Sequence, residues 1–85
     1  MTENEIVKSL YAVRISMRDG YWYVVADYSG DATMYSKPHH ATYEDKNDPK
    51  LINNFTFAKS MTFSAEIVRV NYHKPGSGFS VVPLG

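Results

Sequence analysis

Arg14, Arg18, Tyr21 and Tyr23 are the residues of this 85-residue chain whose types and spacing say most about what it could do. Side chains alternate between the two faces of a strand. Arg14 and Arg18 on one strand therefore share a face with Tyr21 and Tyr23 on an antiparallel neighbour. A plane of guanidinium and phenol groups can stack bases and neutralise phosphate, as sheet surfaces do when they bind single-stranded nucleic acid. The same residue types are enriched in protein-binding hot spots. On an ordinary solvated face they do neither: Arg14 pairs with Asp27, and the rings cover arginine stems.

Glu44, Asp45 and Asp48 form a second candidate surface. They lie in a polar run from His39 to Lys50, the longest expected loop, and loops on a rigid scaffold often carry recognition residues. An acidic loop can occupy a nucleic-acid groove of a partner protein by matching phosphate charge. The run lacks the spacing of an EF-hand, and nothing in it separates one carboxyl from another as acid and base.

Other chemistry is weakly signalled. His39 and His40, with the distant His73, are the available imidazoles. Adjacent residues in extended chain point to opposite sides, so no metal site is expected. The stretch Pro75-Gly76-Ser77-Gly78 lacks the Lys-Ser/Thr ending of a phosphate loop and reads as a hairpin turn. No nucleophile elbow, triad order or cofactor fingerprint is present, so the expectation is a non-enzyme without a cofactor.

Composition narrows the classes further. Nine basic and nine acidic side chains cancel, whereas nucleic-acid binders usually carry a basic excess. With no cysteine, disulfides and thiolate chemistry are excluded. Hydrophobic residues at 44% place the chain among globular proteins, and seven Tyr make it unusually aromatic. No signal peptide and no apolar run of membrane-spanning length is visible, so a cytoplasmic protein without membrane association is expected. Asn54-Phe55-Thr56 fits the glycosylation sequon, which matters only in a secreted chain.

The elements that must position these residues begin with a hairpin from Tyr11 to Tyr28. A type I′ turn at Asp19-Gly20 would set Arg18 against Tyr21, Met17 against Trp22 and Tyr11 against Tyr28. Tyr11, Val13, Ile15 and Met17 then join Trp22, Val24, Ala26 and Tyr28 on an apolar face, with the Arg/Tyr set on the other. Before the hairpin, Thr2 and Glu5 have capping-box spacing, giving either a short helix over 2–8 or a frayed end. Ala32 to Ser36 reads as a third strand, ended by Lys37-Pro38.

Asp48-Pro49 opens a short helix to about Lys59, with Leu51, Ile52, Phe55 and Ala58 as its apolar stripe. Thr62 to Tyr72 is a strand whose apolar phase changes between Ile67 and Val68. A bulge explains that change, and so does a strand whose halves pack on different sides. Pairing His73 with Phe79 brings Val68 and Val70 beside Leu84 and Val82, and Pro83 marks an edge.

The expected fold is therefore α+β and mainly β: one domain over 1–85, an antiparallel five-stranded meander or partly open small barrel in the order β-β-β-α-β-β, with one short helix. The expected function is a non-catalytic protein-binding module, a class that includes small phage and mobile-element accessory proteins inhibiting host factors. The alternative is an OB-type binder of single-stranded nucleic acid using the Arg/Tyr face, with Lys74 contributing from its loop. A homo-oligomer pairing through the last strand is a third reading.

Overall fold

The structure is a computed structural model that describes residues 5–26, 29, 31–62, 64–76 and 78–84. Five strands, β1 (Ile6–Met17), β2 (Gly20–Ala26), β3 (Ala32–Tyr35), β4 (Glu66–His73) and β5 (Phe79–Pro83), and one helix, α1 (Pro49–Met61), follow the expected order. A 3-10 turn over Pro38–His40 lies between β3 and α1. All pairings are antiparallel, in the order β3-β2-β1-β4-β5. The sheet is not closed: β3 and β5 are its edges, and the long β1 is its centre.

Both faces of this sheet are covered. Val13, Ile15 and Val24 pack with Leu51 and Ala58 of α1 and with Ala65, flanked by Tyr11, Trp22, Tyr43, Phe55 and Ile67. On the opposite face Ala12, Tyr23, Val68 and Val70 pack with Ala41, flanked by Val25, Tyr35, Tyr72 and Val81. The segment around the 3-10 turn covers this second face with buried Pro38 and Ala41. β4 and the residue before it thus serve two cores, Ala65 and Ile67 toward the helix and Val68 and Val70 away from it. That accounts for the apolar phase change at Ile67 without a bulge, since pairing with β1 is regular from Glu66 to Tyr72. A register shift in this pairing lies near the start of β1, between Ile6 and Lys8.

Both hairpins correct the sequence-based registers. In the first, Met17 pairs with Gly20, Ile15 with Trp22 and Arg14 with Tyr23, so the turn centres on Arg18 and Asp19 rather than Asp19-Gly20. The central residues keep negative φ, and Gly20 at φ +129° makes the return into β2. The pairing is offset by two residues, an even number, so the two faces keep their membership. Tyr28 and Asp27 lie outside the described residues.

In the second hairpin Tyr72 pairs with Phe79, Val70 with Val81 and Val68 with Pro83. That is a slip of one residue, which turns Val82 and Leu84 to the helix side and brings Val81 over the second core. Gly78, at φ +79°, accepts from the His73 amide at 3.0 Å and absorbs the odd residue as a left-handed glycine can.

At the chain start, Ile6 to Lys8 are strand rather than helix, because pairing with β4 supplies the partners that so short a helix lacks. Residues 2–4 lie outside the description. The strand expected from Thr62 begins only at Glu66; Thr62 itself is the extended residue that ends α1, its amide donating to the Ala58 carbonyl at 3.0 Å. Asp48 caps α1 as expected, accepting from the Lys50 amide at 2.9 Å.

Candidate functional site

The centre of the sheet is forked. β1 and β2 pair only from Arg14 to Met17, while β2 goes on pairing with β3 as far as Ala26. Beyond the fork, Tyr43 takes the place beside β1: it exchanges backbone hydrogen bonds with Tyr11 at 2.7 and 2.8 Å. Beside β2 stands the side chain of Asn54, from the buried face of α1. Its Oδ1 accepts from the Ala26 amide at 2.9 Å, and its Nδ2 donates to the Val24 carbonyl at 2.8 Å. The same Nδ2 reaches the Tyr43 hydroxyl at 3.3 Å.

A helical amide thus takes over two of the strand's hydrogen bonds at the fork, those of the Ala26 amide and the Val24 carbonyl. Asn54 is 1% exposed, so its sequon is closed to glycosylation in the folded chain. Ser64 acts similarly at the other side of β1, where its hydroxyl accepts from the Ser16 amide and donates to the Ser16 carbonyl.

The fork fixes the Arg/Tyr face. Arg14, on the last paired rung, is 8% exposed. Its Nε and Nη2 donate to one oxygen of Glu66 at 3.1 and 2.8 Å, and its guanidinium carbon lies 3.9 Å from the ring centroid of Tyr21. The partner is the residue opposite on β4; Asp27, the partner expected from the sequence, lies outside the described residues. Register also places Arg14 opposite Tyr23 and Ser16 opposite Tyr21, where Arg18 had been expected. Tyr23 is 6% exposed and belongs to the second core, whereas Tyr21 is 53% exposed. Of the four candidates, Arg14 and Tyr21 touch, Tyr23 is buried, and Arg18 stands exposed in the turn. Met17, 47% exposed, ends β1 on the opposite face of the hairpin from Tyr21.

The acidic loop separates into structural and free groups. Asp48 caps α1, Asp45 accepts from the Asn47 amide at 2.9 Å, and Glu44 is exposed. Two of the histidines, His39 and His40, lie on the second face. His39 meets the Tyr72 hydroxyl at 3.1 Å and the edge of Phe79 with ring centroids 5.1 Å apart, while His40 lies 5.5 Å from Tyr35. Among the described residues no three His, Asp or Glu gather as a metal site would require. Also among them, no helix is long and apolar enough to cross a membrane.

Two phenols titrate abnormally. Burial pushes Tyr43 above the ordinary tyrosine value, opposed by its bond from Asn54 and aided by the charge of Asp48. Burial also raises Tyr72, with Tyr23 adding to the effect.

Sequence reasoning missed Asn54. The signal was available: Leu51, Asn54, Phe55 and Ala58 fall at i, i+3, i+4 and i+7, which is the buried stripe, whereas Ile52 is 45% exposed. No family model, curated protein or solved structure matches this chain.

Proposed function

We propose that the chain is a non-catalytic protein-binding module whose contact surface includes the tip of the β1–β2 hairpin, with Tyr21 as anchor and the exposed turn residue Arg18 near it. The observation that carries the reading is the Arg14–Glu66 ion pair beneath Tyr21. It neutralises the arginine that a phosphate would need, and it holds an exposed aromatic ring in a fixed place. A rigid aromatic side chain presented on a scaffold loses little entropy on binding, the property that makes Tyr a frequent hot-spot residue. The burial of Tyr23 removes the second stacking ring from the surface, which weighs against the single-strand platform.

The test is a paired affinity capture. Immobilised wild type and Tyr21→Ala, matched in thermal stability, are exposed to the same extract before and after nuclease treatment. A nuclease-resistant protein retained by the wild type and lost at least tenfold by the variant is the expected outcome. Equal retention by both, or retention abolished by nuclease, contradicts the reading.

A further inference from the structure

The two edges of the sheet are finished differently. β3 is short, with Asp31 immediately before it and Lys37 shortly after it. Short length and flanking charge are common means of keeping an edge from pairing with another chain. β5 has neither charge nor bulge. From Phe79 to Leu84 it carries no ionisable side chain, and it pairs with β4 in one unbroken register. Phe79, Val82 and Leu84 are all more than a third exposed. Among the described residues nothing pairs with the outer side of β5.

Which of its backbone groups face outward follows from two bonds at its ends. The His73 amide donates to the Gly78 carbonyl at 3.0 Å, and the Leu84 amide to the Ile67 carbonyl at 3.3 Å. In an antiparallel ladder, opposed residues exchange backbone bonds at every second position. Gly78, Ser80, Val82 and Leu84 therefore turn their backbone groups toward β4, while Phe79, Val81 and Pro83 turn theirs away from the sheet. Pro83 has no N–H and stands where the fold requires none. The outward donors of the strand are the amides of Phe79 and Val81.

We propose that β5 pairs antiparallel with β5 of a second copy of the chain, about a two-fold axis through Ser80. In that register Phe79 of each copy exchanges both backbone bonds with Val81 of the other, so every outward amide of the two strands is used. An axis moved to Val81 would set Pro83 against Phe79 of the second copy and leave that carbonyl without its donor. The Ser80 axis also lays the Phe79 ring beside Val81 of the second copy, an aromatic and β-branched pair of the kind that stabilises neighbouring strands. That pair extends the face carrying the second core. A net charge of zero sets up no overall repulsion between copies. The contact is isologous and closes at two chains. Tyr21 lies on β2, with β1 and β4 between it and this edge, so the inference is independent of the Tyr21 reading.

The test combines sedimentation equilibrium of the full chain, from micromolar to millimolar concentration, with disulfide trapping. A mass that moves from one chain to two as concentration rises is expected. Ser80→Lys sets like charges opposite one another across the axis and should weaken association at least tenfold. Ser80→Thr keeps the hydroxyl that meets His73 and should associate as the wild type does, which separates repulsion from loss of that contact. The chain has no cysteine, so trapping reports only on the introduced one. Cα atoms of a non-hydrogen-bonded pair lie about 4.5 Å apart, within disulfide reach, so Ser80→Cys should crosslink in a glutathione buffer. Val82→Cys should not, because its counterpart lies four residues along the strands, about 13 Å away. A single-chain mass at every concentration would overturn the proposal and leave this edge to a strand of another protein. Association indifferent to Ser80→Lys, or equal trapping at positions 80 and 82, would overturn it as well. Capture through Tyr21 is expected whichever result is obtained, so the two readings fail separately.

Discussion

The Asn54 side chain faces the Ala26 backbone as a neighbouring strand would, its Oδ1 accepting the amide at 2.9 Å while its Nδ2 serves Val24 two residues earlier. The consequence is that β2 parts from β1 with the Ala26 amide and the Val24 carbonyl still paired. The site described above depends on that parting, because it confines β1–β2 pairing to the rungs that carry Arg14, Tyr21 and Tyr23.

Asn54→Leu keeps the branched heavy-atom shape and improves helix propensity, but leaves a buried amide and a buried carbonyl unmet. It should destabilise the fold by about 2–4 kcal/mol, since each unsatisfied group costs roughly 1–3 kcal/mol. Urea denaturation measures this directly. A loss within error of zero would mean that water or a shift of α1 heals the fork.

The Arg14–Glu66 pair calls for a double-mutant cycle. Glu66 is about a third exposed while Arg14 is buried, so the pair lies between the surface and interior regimes. Glu66→Gln should cost about 1–2 kcal/mol, less than the roughly 3–5 kcal/mol of a fully buried broken pair. Coupling between Arg14→Met and Glu66→Gln should be about 1 kcal/mol, a value expected only for groups in direct contact.

Alkaline stability follows from the two raised phenols. A tyrosine whose folded pKa lies above its unfolded value of about 10 holds its proton longer when folded. The stability this contributes is fully present below pH 10 and is lost as pH rises through the folded pKa. Denaturant midpoints should therefore fall above pH 10. Tyr43→Phe removes one of the two ionisations and should make that fall shallower. Midpoints that are level across this range would show that neither phenol is held back by the fold.

Core contributions are expected to be uneven. Leu51 of α1 is fully buried against the sheet, and Leu51→Ala should cost about 2–5 kcal/mol. Arg18→Ala, in an exposed turn, should change stability by less than about 0.5 kcal/mol. Thermal melts of the two variants give the comparison, and similar values would place the core elsewhere.

Much of this architecture was legible in the residues. Period-two alternation found the five strands, though not where the first and fourth begin, and sorted the described residues of the two hairpin faces correctly, and Asp48-Pro49 marked the helix start. The registers were not. Asp-Gly is a strong turn signal, but it does not say whether glycine sits within the turn or just after it, and here Gly20 comes after. The last hairpin offers Val81, Val82 and Leu84 to either face, so alternation alone could not choose between registers one residue apart. The fork was hidden for a different reason. It replaces a backbone partner by a side chain 28 residues away, a long-range exchange that no local pattern encodes. The second face looked solvated because its cover comes from Pro38 and Ala41, residues of a segment that reads as plain loop.

The most direct test of the account is a photo-crosslinker, p-benzoylphenylalanine, placed at position 21 and irradiated in extract with and without excess unlabelled chain. The account predicts a discrete protein adduct that survives nuclease, is competed away by wild-type chain, and persists when Tyr21→Ala is the competitor. An adduct that disappears with nuclease, or one that wild type and Tyr21→Ala compete equally, would contradict the claim that Tyr21 anchors a protein partner.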